Sequence, residues 1–137
     1  MNIGVIVLLG FVVVTLFLVV FVVVAQARRK NLSLQELNYI KSHWIRIIDI
    51  FGNNPVQAII DADKLLDYVL KRNGFVGNVG EMLKKAGPRF SDLNKVWIAH
   101  KLRNRYAHEL SGGVDVAEAK LALAYFKRAL NDLGSKL

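Results

Sequence analysis

Residues 33–50 read SLQELNYIKSHWIRIIDI, which is the pattern of an amphipathic helix with a marked beginning. Ser33, with Glu36 three positions later, forms a capping box, in which each side chain bonds the backbone N–H of the other residue. Apolar residues then recur at spacings of three and four, the period of one helix face: Leu37, Ile40, Trp44, Ile47 and Ile48. The stretch predicts a helix that buries this face and ends before the Gly-Asn-Asn break at residues 52–54.

The rest of the chain after residue 54 repeats these signals. Cap residues and terminating glycines or prolines predict four more helices, over about residues 55–74, 78–87, 91–110 and 115–134, with Ser91 as the cap of the fourth. No segment alternates with period two, so no sheet is expected. We therefore predict an all-α fold in which residues 33–137 form a bundle of about five helices, long enough to bury a core.

The N-terminal segment has a different composition. Residues 1–27 contain no charged side chain, and residues 3–25 are apolar apart from Thr15. A helix of this length covers the roughly 30 Å of bilayer hydrocarbon, and a helix satisfies its own backbone hydrogen bonds there. Residues 1–27 are therefore predicted to be a transmembrane anchor that spans the membrane once.

A cleaved signal peptide is the alternative for this segment, because residues 25–27, Ala-Gln-Ala, resemble a cleavage site. However, no basic region precedes the apolar run, and Arg28, Arg29 and Lys30 follow it at once. Residues 28–32 are therefore interpreted as a basic juxtamembrane flank. Because positive loops stay inside, we expect the N-terminus outside and the helical domain in the cytoplasm.

Composition excludes several classes of chemistry. The chain has no cysteine, so disulfides, cysteine-based metal sites and thiol catalysis are excluded. His43, His100 and His108 lack metal-ligand spacing, and we expect no metal and no cofactor. The net charge is +8, and it permits an RNA or phosphate partner without demanding one.

Residues 103–108, Arg-Asn-Arg-Tyr-Ala-His, place a strong cation and an imidazole five residues apart, late in the fourth predicted helix. At about 100° per residue, Arg103 falls among the apolar residues of the core face. Asn104 and His108 instead share a second face with His100. A single helix therefore presents Arg103 and His108 in different directions.

Each of these two residues has more than one explanation. A guanidinium among apolar neighbours is costly unless it is paired. Arg103 could form an ion pair within the chain, with Asp61, Asp63 or Asp67 of the second helix. It could also reach past the core edge, or grip a phosphate at a cleft. His108 could interact with the last carbonyls of its helix, or transfer protons.

The pattern Arg103-Asn104-x-x-x-His108, late in a helix of a small all-α domain, resembles the signature of the HEPN superfamily. In that superfamily an Arg, often followed by Asn, precedes a His by a few residues, and the five-helix organisation of residues 33–134 is similar to its architecture. Residues 58–70, the glycine-rich loop and residues 101–109 also resemble a family of small uncharacterised bacterial proteins with an N-terminal membrane segment.

The HEPN resemblance implies metal-independent cleavage of RNA by a homodimer, in which two copies of the helix face each other. Arg103 would hold the scissile phosphate, His108 would act as general base or acid, and Asn104 would orient either of them. The products would be a 2′,3′-cyclic phosphate and a 5′-hydroxyl. In one branch, regulated by adenylylation, a Tyr lies two residues after the His. This chain has Leu110 there, so that regulation is not expected.

Two other functions remain as expectations. In the first, the domain is a non-catalytic interaction module tethered to the membrane, and the same groove recruits a protein or nucleotide. In the second, the protein is purely structural and Arg103 is the partner in a buried ion pair. The partners expected for the enzyme are a membrane, a second copy of the chain and RNA.

Overall fold

The computed structural model describes residues 2–27, 31–108 and 113–137, in two compact units formed by residues 1–30 and 31–137. The predicted basic cluster at residues 28–30, Leu110 and the first part of the predicted turn at residues 111–113 lie outside the described residues. Within the described ranges the protein is all-helical and has no strand, as predicted. Among the described residues, the first unit contains one α-helix and the second contains five.

The first helix, α1, spans Ile3–Ala27. Its segment Ile3–Val24 has no side chain buried by the rest of the protein. Thr15 has the one polar side chain in that segment, and its Oγ1 donates to the carbonyls of Phe11 and Val12 at 2.9 Å each. By length and composition α1 could cross a membrane, and a signal sequence has the same two properties.

In the second unit, side-chain caps fix where all five helices begin. Four of these helices are α2 (Leu34–Phe51), α3 (Pro55–Arg72), α4 (Val79–Ala86) and α6 (Val116–Asp132), and a short 3-10 turn, Gly87–Arg89, follows α4. The predicted capping box of α2 is present: the Ser33 backbone N–H donates to Glu36 Oε2 at 2.8 Å, and the Glu36 backbone N–H donates to Ser33 Oγ at 3.2 Å. Asn78 and Glu81 form a second capping box at α4.

The remaining helix, α5, spans Leu93–His108, and the prediction that Ser91 caps it is wrong. The cap is Asp92, whose Oδ1 accepts a hydrogen bond from the Lys95 backbone at 3.2 Å. Backbone hydrogen bonding lowers the pKa of the Asp92 carboxyl, and the ion pair with Lys95 adds to this effect. Ser91 instead donates its backbone N–H and its hydroxyl to Asp132 Oδ2, both at 2.8 Å, which ties the start of α5 to the end of α6.

Helix α3 is the centre of the bundle and packs against α2, α4, α5 and α6. The core between these helices includes the fully buried side chains of Ile40, Ile59, Leu66, Leu70, Met82, Leu83, Phe126 and Leu130. Most of the predicted α2 stripe is buried or partly buried, but Ile48 is 48% exposed. The reason is geometric: the four helices around α3 leave an open channel beside this part of α2, so the edge of its apolar stripe has no partner.

Candidate functional site: a polar groove between α3 and α5

A groove of about 580 Å³ lies between α3, the loop before α4, and α5. Most of the residues that line it have polar or charged side chains, in contrast with the apolar core beside it. The side chains that define its chemistry come from α3 and α5: Asp63, Lys64, Lys71, His100, Arg103 and Asn104. Two of the three residues predicted from the hexapeptide, Arg103 and Asn104, therefore lie in one groove.

Asp63 is the buried centre of the site. Its side chain is 4% exposed, and Oδ1 lies 2.8 Å from His100 Nδ1 while Oδ2 lies 3.4 Å from Arg103 Nε. A carboxylate only accepts hydrogen bonds, so His100 Nδ1 carries the proton in this contact. When the imidazole is neutral, the other ring nitrogen, Nε2, is the acceptor. Asp63 thus neutralises Arg103 and fixes the tautomer of His100.

Asn104 closes the polar network. Arg103 Nη1 donates to Asn104 Oδ1 at 2.9 Å, and Asn104 Nδ2 lies 3.4 Å from His100 Nε2. Since the guanidinium only donates, it meets the amide oxygen, and the amide nitrogen is left to face His100 Nε2. Arg103, Asn104, His100 and Asp63 therefore form a closed ring of polar contacts.

Arg103 combines two of the alternatives that the sequence left open: it forms an ion pair within the chain, and it also reaches the edge of the core. Its side chain is 29% exposed, so it lies at the edge of the core rather than inside it. The ion pair with Asp63 selects one of the three carboxylates considered for it. The geometry at Nε is that of an ion pair without a hydrogen bond, and Nε has no hydrogen-bond partner among the described residues. With Nη1 bonded once to Asn104, three of the five guanidinium N–H groups remain available to a ligand.

The wall opposite α5 depends on Gly77. This residue has a φ of +125°, and a Cβ there would lie 2.4 Å from Glu81 Oε2. Glu81 is held in place because its carboxylate caps α4 by accepting from the Asn78 backbone at 3.0 Å. On the other side, the Trp97 ring meets His100 edge-on with 5.9 Å between ring centres. The groove is therefore bounded on one side by a glycine-dependent turn, and the imidazole that lines it packs against an aromatic ring.

His108, the third predicted site residue, does not line the groove. It is the last residue of α5 and is exposed, and within residues 31–108 and 113–137 its ring makes no hydrogen bond or ion pair. Within one chain the structure therefore brings Arg103 to Asn104 and His100 but not to His108. Sequence reasoning had placed His100 on the same face as Asn104 without giving it a role. The spacing in the sequence indicates that His100 can share the site, since it lies three residues before Arg103 and four before Asn104.

The charges of the groove are nearly balanced. Lys64 pairs with Asp61 at 3.6 Å and Lys71 with Asp67 at 2.7 Å, and both lysine side chains are more than half exposed. Pairs of this kind contribute little and exchange partners easily, so the lysines are free to turn toward an anion. No group of three or more His, Asp or Glu side chains suited to a metal ion occurs among the described residues. The arrangement suits an anionic ligand held by Arg103 and the two lysines beside an oriented imidazole.

Comparisons with known proteins do not add to this description. No protein-family model, no curated protein and no solved structure matches the chain.

Proposed function

We propose that the protein is a membrane-anchored, metal-independent endoribonuclease of the HEPN type, and that RNA binds in the groove between α3 and α5. The observation that carries the proposal is the convergence of Arg103, Asn104 and His100 on one groove, with Asp63 behind them. A guanidinium suits a phosphate because its planar donors match the phosphate oxygens. The proposal therefore assigns the scissile phosphate to the free N–H groups of Arg103.

The reaction needs a group that accepts a proton and a group that supplies one. In the proposed homodimer the two copies of α5 face each other, so that both grooves open onto one shared site that contains Arg103 and His108 from each copy. One His108 removes the proton from the ribose 2′-hydroxyl, and the 2′-oxygen attacks the phosphorus. The bond from phosphorus to the 5′-oxygen breaks, and the second His108 protonates that oxygen. The products are a 2′,3′-cyclic phosphate and a 5′-hydroxyl, so atoms and charge balance without a metal.

Support for the dimer comes from the position of His108. It is exposed and apart from the groove of its own chain, so a single chain presents an incomplete set of groups. A second copy in the same membrane would be held at a high local concentration, which favours pairing. Asn104 and the Asp63–His100 pair would position Arg103 in each copy.

The test uses the full chain in nanodiscs, with a fluorogenic single-stranded RNA in excess chelator. We expect cleavage by the wild type. Removing the proton-transfer group in His108→Ala should lower the rate by about 10²- to 10⁴-fold, and Arg103→Ala should lower it by about 10²- to 10³-fold. His43→Ala is the matched control, because His43 lies on α2 outside the groove. The proposal fails if a folded, dimeric wild type leaves the RNA intact.

A non-catalytic interaction module is the second candidate, and a specific contact favours it. Arg103 is already paired with Asp63 and Asn104, as expected of a residue that holds a binding surface in shape. In that case RNA or a nucleotide would bind without being cleaved, and Arg103→Ala would lose the ligand. Fluorescence anisotropy on the same RNA, measured beside the cleavage assay, separates binding from turnover.

We also propose that α1 is an uncleaved anchor with its N-terminus outside and the helical domain in the cytoplasm. The absence of cysteine makes this testable, because any introduced thiol is unique. In intact cells, a membrane-impermeant maleimide should label Asn2→Cys and should not label Asn53→Cys. Labelling in the opposite pattern would reverse the orientation. Loss of residue 2 from the mature protein would identify α1 as a cleaved signal.

A further inference from the structure

A second groove, of about 460 Å³, lies between α2 and α6, and we call it the α2–α6 groove. On the α2 side it is lined by Trp44, Ile48 and Phe51, whose spacings of four and three put them on one stripe. Ile48 is 48% exposed, although its pattern in the sequence is that of a core residue. The groove therefore exposes apolar surface that the fold itself leaves without a partner.

The α6 side adds a floor and a charged rim. Leu123 is buried and Ala124 is exposed, so the floor is apolar and shallow at its centre. Lys120 and Lys127 flank them seven residues apart, which places their Cα atoms about 10 Å apart along the helix axis, on one edge. Among the described residues, neither lysine has a carboxylate within 4.0 Å. An apolar channel with two unpaired cations on one edge is thus open to solvent.

We propose that the α2–α6 groove binds an acidic amphipathic helix of a partner protein. A helix in a groove anchors through apolar residues at i, i+3, i+4 and i+7, which matches a stripe that is two turns long. Acidic residues seven apart on the flank of that helix would then face Lys120 and Lys127. The proposal is independent of the proposed ribonuclease, because the two grooves share no lining residue.

Charge and shape favour this occupant over two others. A second copy of the chain carries a formal charge of +8 and would bring mainly like charge to the lysines. An anionic bilayer complements the lysines, but its surface is flat and does not fill a concave channel. An acidic helix satisfies both the apolar floor and the cationic edge.

The test uses full-length protein in zwitterionic nanodiscs and a labelled synthetic peptide of about 18 residues, long enough to be helical. The peptide carries Leu at the four anchor positions and two Glu seven residues apart on the flank. A matched peptide has Lys in place of those Glu residues. Fluorescence anisotropy reports binding to the wild type, to Ala124→Glu, and to the Lys120→Glu/Lys127→Glu double variant. Lys84→Glu/Lys101→Glu, with exposed lysines outside this groove, controls for net charge.

We expect the wild type to bind the Glu peptide about tenfold more tightly than the Lys peptide, since two exposed ion pairs replace two repulsions. The Lys120→Glu/Lys127→Glu variant should invert this preference, the control variant should keep it, and Ala124→Glu should weaken both peptides. The proposal is overturned if the Glu peptide does not bind, or if the double variant keeps the wild-type preference. It is also overturned if anionic nanodiscs abolish peptide binding, or if Ala124→Glu converts a dimer into a monomer. Those last results would assign the groove to lipid or to a second copy.

Discussion

Replacing Arg103 with alanine removes the guanidinium that pairs with the buried Asp63 carboxylate. The resulting loss of stability can be worked out from the geometry of the pair. Removing one partner of a fully buried ion pair costs about 3–5 kcal/mol. Two features reduce that figure here. The Arg103 side chain is 29% exposed, so water screens the pair, and Asp63 keeps its contact with His100 at 2.8 Å. We therefore expect Arg103→Ala to lower the free energy of unfolding by about 2 kcal/mol.

The prediction becomes specific when the carboxylate is removed as well. Asp63→Asn leaves an amide oxygen that can still accept from His100 Nδ1, while the unpaired charge is gone. The Asp63→Asn/Arg103→Ala double variant should therefore be more stable than the sum of the two single changes predicts, by about 1–2 kcal/mol. His108→Ala is the matched control on the same helix, because that side chain is exposed.

Thermal unfolding followed by circular dichroism in mild detergent measures these differences. For a domain of this size, about 2 kcal/mol corresponds to a fall in melting temperature of roughly 10 °C. The His108→Ala variant should melt within a few degrees of the wild type. If Arg103→Ala also melts with the wild type, or if the double variant loses the full sum, the ion pair does not stabilise the fold. The structural explanation of Arg103 would then be refuted.

Three other predictions test the surroundings of the site. Gly77→Ala should destabilise the protein by about 1–3 kcal/mol because of its positive φ and the contact with Glu81. Gly52→Ala, at the C-cap of α2, where φ and ψ are helical and the surrounding space is open, should stabilise it by about 0.4–1 kcal/mol. Melting temperatures that rank these two variants in the opposite order would show that the turn does not require glycine at residue 77. The pKa of Asp92 is lowered in the folded state, so its contribution is present above the ordinary carboxyl pKa and is lost as pH falls through the lower folded value. Asp92→Asn, which keeps the cap, should therefore flatten the acid side of a plot of melting temperature against pH, and an unchanged slope would exclude this carboxyl as its source. Asp132→Asn should lower the melting temperature because Ser91 loses a charged acceptor. Asp49→Asn, the same change at an exposed residue of α2, serves as its control and should leave the melting temperature nearly unchanged.

The helices could be predicted from the sequence because their signals are local. The capping boxes at Ser33 and Asn78 act within one helical turn, and the structure contains both. Ser91 was misassigned because a local rule cannot separate adjacent cap candidates. Asp92 takes the cap while Asp132, which is 41 residues away from Ser91 in sequence, accepts from Ser91. That choice depends on tertiary packing, which the local pattern does not contain.

The candidate site was only partly predictable for the same reason. Arg103 and Asn104 were identified from a short motif, and Asp63 was one of three carboxylates considered for Arg103. The contact between Asp63 and His100 joins residues that are 37 positions apart, so no spacing rule predicts it. Ile48 shows the opposite error, in which the sequence pattern predicts a buried residue and the structure exposes it. Its helical period is that of a core residue, but whether an apolar stripe is fully covered depends on where neighbouring helices lie.

The ring of contacts around Asp63 also bears on how uniquely α5 is oriented. Only Val96, Ala99 and Leu102 are buried in this helix, a narrow stripe that small rotations about its axis would satisfy almost equally well. Asp63 contacts two residues of α5 that are three positions apart, and both contacts form together at one rotation and one axial register only. Replacing this ring of polar residues with apolar side chains of equal volume should therefore preserve the helices. The orientation of α5 against α3 should then vary between molecules. The expected result is a loss of chemical-shift dispersion in the methyl NMR spectrum without a loss of helicity. Such a result would mean that the ring selects one conformation from several of similar energy.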